Sequence, residues 1–237
     1  KYKKNIWDSS VLSKRIISWL LNVDIILSNN TFDFKKSFLN SIISQTNHLK
    51  KNIKFEKDYS KKLEILTALL LSGLVFKEYI ENYNIAIKEL EKLVKNYFDQ
   101  DGFPLTRNPS DLIFFSKYLI LCKECIKDAQ KYIPEFLDEI ISKNISCLKD
   151  ITTPTDQTPL FNGGIEEDLD YLRKFTDNPE YKSKKRNGLT GGIQKLKFKN
   201  SQIFFDVGNP PKKDFSKSYQ SGPLSFEYYL DGTKIIT

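Results

Sequence analysis

Apolar residues recur at three- and four-residue spacing from about Ser9 to about Phe175, and at every second position from about Gly191 onward. The first period is that of a helix with one buried face and the second that of a strand, so helices are expected first and strands after. "SSVLSKRIISWLLNVDIILSN" offers caps at Ser9 or Ser10 and an apolar face through Leu12, Ile16, Trp19, Leu20 and Val23. "FDFKKSFLNSIISQTNHLKKNI" aligns Phe34, Phe38, Ile42, Gln45 and Leu49 on one side. "YSKKLEILTALLLSGLVFKEY" is apolar on more than one side, which predicts a helix buried between neighbours. "NIAIKELEKLVKNYF" runs into the turn "DQDGFP". "PSDLIFFSKYLILCKECIKDAQ" opens on Pro109, a residue favoured in a helix's first turn. "IPEFLDEIISKNISCLKD" is a sixth helix and "EEDLDYLRKF" a short last one, after the turn-rich "ITTPTDQTPLFNGGI". Short connections pair successive helices as antiparallel hairpins, which predicts a curved helical array.

The regime changes near Tyr181. "YKSKKRNGLTGG" reads as a basic, Gly-rich linker, and "IQKLKFK", "SQIFFDVG", "GPLSFEYYLDG" and "TKIIT" read as successive strands joined by tight turns. Leu196 and Phe198 share one face of the first strand; Ile203, Phe205 and Val207 share one face of the second. In the third, Leu224, Phe226, Tyr228 and Leu230 alternate with Ser225, Glu227, Tyr229 and Asp231. So small a sheet with an apolar face needs a partner layer, either the helices or further chain. The expected class is α+β, with a helical domain over 1–180 and a β domain opening over 181–237. The chain holds no Met, and "TKIIT" stops inside a strand, so it reads as a piece of a longer protein whose remainder lies mostly beyond Thr237.

Forty per cent hydrophobic residues in 237 is enough for a real core, and no apolar run reaches the ~18 residues a membrane span needs. The formal net charge of +7 fits an acidic partner, such as an anionic polysaccharide, a nucleic acid or a membrane surface. The lysines are scattered and form no dense stripe with exposed aromatics, which favours the Lys-, Asn- and Ile-rich drift of an AT-rich genome as the cause of the charge, with polyanion binding compatible with it. Cys122, Cys125 and Cys147 are an odd set and give no disulfide framework. "CKEC" has zinc-site spacing but no further ligands nearby, so its cysteines read as small apolar residues of a helix.

The ordered set of hairpins, "DQDGFPLTRNP", "LFNGG", "DVGNPP" and "GPLSFEYYLDG" resembles the heparinase II/III-like proteins over nearly the whole chain. The early "SKRIISWL" and "QTNHLKK" resemble the alphaproteobacterial branch. This resemblance implies an incomplete (α/α) toroid followed by the first strands of an antiparallel β-sandwich. It also implies polysaccharide lyase chemistry in a cell-envelope or periplasmic setting.

Such a lyase removes the proton α to a uronate carboxylate and expels the 4-linked oxygen. A neutral donor must offset charge on the enolate-like transition state, while a base and an acid move the two protons. By resemblance, Asn47 is the carboxylate neutraliser and His48 lines the same groove; the plain alternative is that one of the two faces the cleft while the other caps or packs. Where the family places a Tyr after "NP", this chain has Asp111. Arg107 is a candidate for binding a substrate carboxylate, or else an ion pair at a helix start. Where the family has a histidine-rich run supplying a base and a metal ligand, the chain reads "SYQSGP", with Ser218 and Gln220 at the histidine positions. Gln is neither a base nor a good zinc ligand, so no cofactor is evident, although a β-domain divalent metal would accord with the family. Tyr219 is the one ionisable group left in the run and a candidate acid; Gln220 and Asn162 of "LFNGG" are candidates to bind substrate. Asn47, His48, Arg107 and Asn162 are expected to converge on one cleft.

Three functions follow. The first is a polysaccharide lyase-like enzyme acting on an acidic glycan. The second is a degenerate glycan-binding or envelope-assembly protein on the same scaffold. The third is a helical-repeat binding module for protein or nucleic acid. The resemblance favours an acidic polysaccharide as partner, with no nucleic acid and no transmembrane segment.

Overall fold

The computed structural model describes residues 6–167, 169–179, 181, 188–220, 222 and 224–236. Among them the order is α1 (Ser9–Leu21), α2 (Val23–Leu27), α3 (Phe32–Asn52), α4 (Tyr59–Val75), α5 (Ile80–Tyr97), α6 (Pro109–Asp128), α7 (Glu135–Ile151) and α8 (Asp170–Thr176). Five strands follow: β1 (Leu189–Thr190), β2 (Ile193–Phe198), β3 (Ser201–Asp206), β4 (Phe226–Leu230) and β5 (Thr233–Ile236). The fold is α+β, with the switch of period where the sequence predicts it. Half of the proposed linker, residues 182–187, lies outside the described residues, and Leu189–Thr190 within it form β1.

The chain divides into two compact units, Lys1–Val94 with Leu121–Pro134, and Lys95–Ile120 with Glu135–Thr237. In the first, α1 packs on α4 and both pack on α3. Its core holds Leu12, Ile16, Ile42, Leu49, Leu66 and Leu69, all fully buried. Asp8, rather than Ser9 or Ser10, caps α1: its carboxylate accepts from the backbone N–H groups of Ser10 and Val11. An aspartate one residue earlier does the same capping chemistry as the serines. Within the α3 stripe, Gln45 is buried and accepts from Arg15 Nη1 at 3.0 Å while donating to Ser41 Oγ at 2.9 Å. Phe34 stays 43 % exposed at the open end of that helix. Eleven residues of α4 are buried, as its all-round apolarity predicts. Gly73 lets the backbone of Tyr83 approach where any side chain would collide.

In the second unit, Tyr97 stacks on Phe115 with centroids 4.2 Å apart, and Phe98 meets the same ring edge-on. The strands form one antiparallel sheet in sequence order β1-β2-β3-β4-β5. Leu196 pairs with Ile203, Ile203 with Tyr228, and Phe205 with Phe226. The face carrying these apolar residues remains open among the described residues: Leu196 is 52 % and Phe198 72 % exposed. The opposite face, with Phe204, Asp206, Glu227 and Tyr229, is buried, and α7 packs against β1 and β2. Its polar groups are matched in place. Glu227 accepts from Leu160 N, Lys234 Nζ and Tyr229 Oη, and Lys195 Nζ donates to Thr152 O. Burial, followed by the Glu227 carboxylate, pushes the Tyr229 phenol upward; burial pushes Lys195 downward.

This assignment of faces is testable by chemical denaturation. Phe204→Ala is expected to cost about 3–5 kcal/mol, against about 0.5 kcal/mol or less for Phe198→Ala in this chain. Equal losses would contradict it.

Candidate functional site

The second unit is organised around Arg107. Asn108 and Pro109 start α6, with Asn108 Oδ1 accepting from Ser110 N at 2.8 Å. Immediately before that cap, Arg107 takes a left-handed conformation (φ 59°) and turns its side chain toward the sheet. The guanidinium donates to the carbonyls of Gly191 (3.1 Å), Gly192 (3.3 Å), Gly208 (3.0 Å) and Asn209 (2.9 Å), and pairs with the Asp206 carboxylate. A Cβ on Gly192 or Gly208 would strike the guanidinium. The second glycine of "LTGG" and the glycine of "DVGN" are thus the clearance for this side chain. Asp111, standing at the expected Tyr position, accepts from Thr106 Oγ1 (2.6 Å) and Tyr97 Oη (3.0 Å).

Asn162 hangs from the same hub. Its Nδ2 donates to the Arg107 carbonyl at 3.2 Å, it is 4 % exposed, and its φ is 56°. Its Oδ1 is buried with no hydrogen-bond partner among the described residues. Next to it Gly163 (φ 85°) lies so close to the Ser218 carbonyl that a side chain would collide, which brings "LFNGG" against "SYQSGP". Asn162 and Gln220 line one cavity of about 590 Å³ together with Asp206, Ser225, Phe226 and Glu227. Tyr219 precedes Gln220 and is half-buried, its backbone N–H donating to Ser216 O at 3.2 Å. Arg107 itself borders a second cavity of about 450 Å³ with Asp99, Asn209, Pro210 and Lys212.

Asn47 and His48 belong to the first unit. Asn47 is exposed at the C-terminal end of α3, in a groove of about 1080 Å³ with Lys50, Lys51, Lys54, Lys62 and Lys88. Two glutamates face these five lysines: Glu81 pairs with Lys50 at 2.6 Å and Glu89 with Lys62 at 3.5 Å. The groove is therefore net basic. His48 is half-buried, with its ring edge-on to Trp7 at 5.1 Å. Successive helical residues are 100° apart, which is why this neighbouring pair meets different surroundings.

The pairing of Arg107 with Asp206, and the buried place of Glu227, escape sequence reasoning. The available signal is the coincidence of three glycine sites with one arginine far away in the chain. No three His, Cys, Asp or Glu side chains converge among the described residues. Cys122 is buried beside Thr67 Oγ1 (3.5 Å), and burial pushes its thiol up to about 12; Cys125 is pushed to about 11.

Two outcomes are expected. Arg107→Met leaves Asp206 buried without its partner and should cost about 3–5 kcal/mol. Arg107→Met with Asp206→Asn should recover part of that loss in a double-mutant cycle; simple additivity would show that the pair is not coupled. A raised thiol pKa leaves little thiolate at neutral pH. Cys122 and Cys125 should therefore resist a thiolate-selective reagent in the folded protein and react on unfolding, whereas rapid native labelling would refute their environment.

No protein-family model matches the chain, and no curated protein matches it significantly. Solved structures do. The heparan sulfate lyase HepC from Pedobacter heparinus superposes with a TM-score of 0.74 at 18 % identity, covering 97 % of this chain and 40 % of that one. The heparinase III BT4657 gene product gives 0.72 at 18 % identity over 98 % and 41 %, and a further heparinase III gives 0.71 at 16 % over 96 % and 42 %. The chain thus spans about two-fifths of the length of these structures, and over that span it has the fold of a heparinase III: helices followed by an antiparallel sheet.

Proposed function

We propose that this chain is part of a polysaccharide lyase-like protein that acts by β-elimination on an acidic, uronic-acid-containing glycan of the cell envelope or environment. The observation that carries the proposal is the likeness to a heparan sulfate lyase and to heparinase III over nearly the whole chain. The groove around Asn47 supports it independently, since five lysines against two glutamates favour an anionic polymer. In this reading the Asn47 amide donates to the uronate carboxylate as charge moves onto it. His48, the only imidazole in the chain, takes the proton from the carbon α to that carboxylate. The electron pair forms the new ring double bond as the bond to the 4-linked oxygen breaks. Tyr219 protonates the departing oxygen. Asn162 and Gln220 hold a sugar residue, and Arg107 keeps Asn162 in place through its backbone carbonyl.

A second reading has its own support. Ser218 and Gln220 replace the expected histidines, and the Arg107 guanidinium is surrounded by protein acceptors. Both features fit a glycan-binding or envelope-assembly protein that keeps the scaffold without the chemistry.

Incubation with a panel of uronic-acid polymers, heparan sulfate among them, separates the two. Elimination creates an unsaturated uronate that absorbs in the ultraviolet. His48→Ala should then lower turnover roughly 100-fold or more, as loss of a proton-transfer group does, while the thermal midpoint stays close to the parent's. An unchanged rate would remove His48 from the chemistry. Binding without any absorbance change would replace the enzyme reading with the binding one.

A further inference from the structure

The cavity of the second unit differs in chemistry from the basic groove of the first. The charged side chains lining it, among the described residues, are the two carboxylates Asp206 and Glu227. Each already has a cation: Arg107 for Asp206, and Lys234 for Glu227 at 3.0 Å. Among the described residues no lysine or arginine lines the cavity to receive an anion. A carboxylate or sulfate placed there would lose water and face acceptors, a cost that a hydroxyl group does not incur.

Three further features point to what the cavity accepts. Asn162 Oδ1 is a buried acceptor with no partner among the described residues, and an unsatisfied buried polar group is a standing penalty that a ligand donor would relieve. Its amide is fixed by the bond to the Arg107 carbonyl and cannot be turned without losing that bond. Gln220 is exposed at the same wall and offers both a donor and an acceptor. Phe226, 40 % exposed in the cavity wall, lies 5.7 Å from Phe205 across the strand pair and presents an apolar surface to a ring's C–H face. Apolar walls with a few fixed polar groups, in a volume of this size, are the usual make-up of a small-molecule site.

We propose that this cavity is a subsite for a neutral, hydroxyl-bearing pyranose, and that it excludes the uronate. The inference rests on the glycan reading above and deepens it. Asn162 accepts a sugar hydroxyl, Gln220 bridges a second, and Phe226 carries the ring. These are positions for binding, and none of the three takes part in moving protons.

The test is ligand-observed NMR titration of the whole chain with methyl β-glucoside as the neutral probe and glucuronate as the anionic one. The glucoside should bind at least ten-fold more tightly than glucuronate. Gln220→Ala and Phe226→Ala, both at exposed positions, should each weaken it five-fold or more without shifting the thermal midpoint. Asn162→Gly, which keeps the left-handed backbone, should weaken it similarly. Equal or tighter binding of glucuronate, no detectable binding of either probe, or glucoside affinity unaltered by Gln220→Ala and Phe226→Ala would each overturn the proposal. Failure of the lyase reading shows separately, as absence of the ultraviolet product from uronic-acid polymers while glucoside binding persists.

Discussion

The second unit depends on one buried cation. A guanidinium taken out of water is tolerable only where acceptors surround it, since the desolvation penalty for an unpaired charge amounts to several kcal/mol. Arg107 meets that condition with four carbonyls and one carboxylate, drawn from the β1–β2 turn, the end of β3 and the loop after it. The requirement propagates outward. Gly192 and Gly208 cannot carry side chains because the guanidinium fills that space. The left-handed backbone at Arg107 points its carbonyl at Asn162, and Asn162 in turn is held at a cavity wall with its Oδ1 unmatched. Helix start, sheet edge and cavity therefore share one anchor.

The same logic sets the orientation of the sheet. A face bearing Asp206, Glu227, Tyr229 and Lys195 is an unpromising face to bury on composition alone. It is buried because each group finds a partner there: Arg107, Lys234 with Leu160 N, Glu227, and Thr152 O respectively. Fully satisfied polar networks in low dielectric fix one arrangement more sharply than apolar contact does, since any slip leaves a group unpaired. A one-residue slip of β4 would carry Glu227 and Tyr229 together to the other face, take Glu227 away from Leu160 N and bring Phe226 in to face it.

How much of this the sequence discloses follows from the range of each interaction. Helix positions, the Pro109 start, the turn at "DQDGFP" and the strand period are local, and local spacing carries them. The cap at Asp8 in place of Ser9 is a one-residue matter between chemically equivalent oxygens. The buried face of the sheet is not local. Alternation marks Leu224, Phe226, Tyr228 and Leu230 as a set, yet the set turned inward is decided by partners as far away as Leu160 and Arg107. Arg107 reaches acceptors 84 to 102 residues on, so beside Pro109 it shows only as a charged residue at a helix start. Of the proposed site, Asn162 and Gln220 share a cavity, which the resemblance anticipated only as separate loop and strand features. Asn47 and His48, adjacent in sequence, part company through helical geometry that the dipeptide alone does not express.

The two cavities make opposite electrostatic demands, each within its own unit. Beside Asn47 five lysines face two glutamates, and such an excess of positive charge acts at long range and weakens with salt. At Asn162 the charged lining among the described residues is Asp206 and Glu227, each already paired with a cation, and the wall offers hydrogen bonding at contact instead. Net charge is the signal of the first surface and fixed polar geometry that of the second, so ionic strength should change what the first attracts far more than what the second holds.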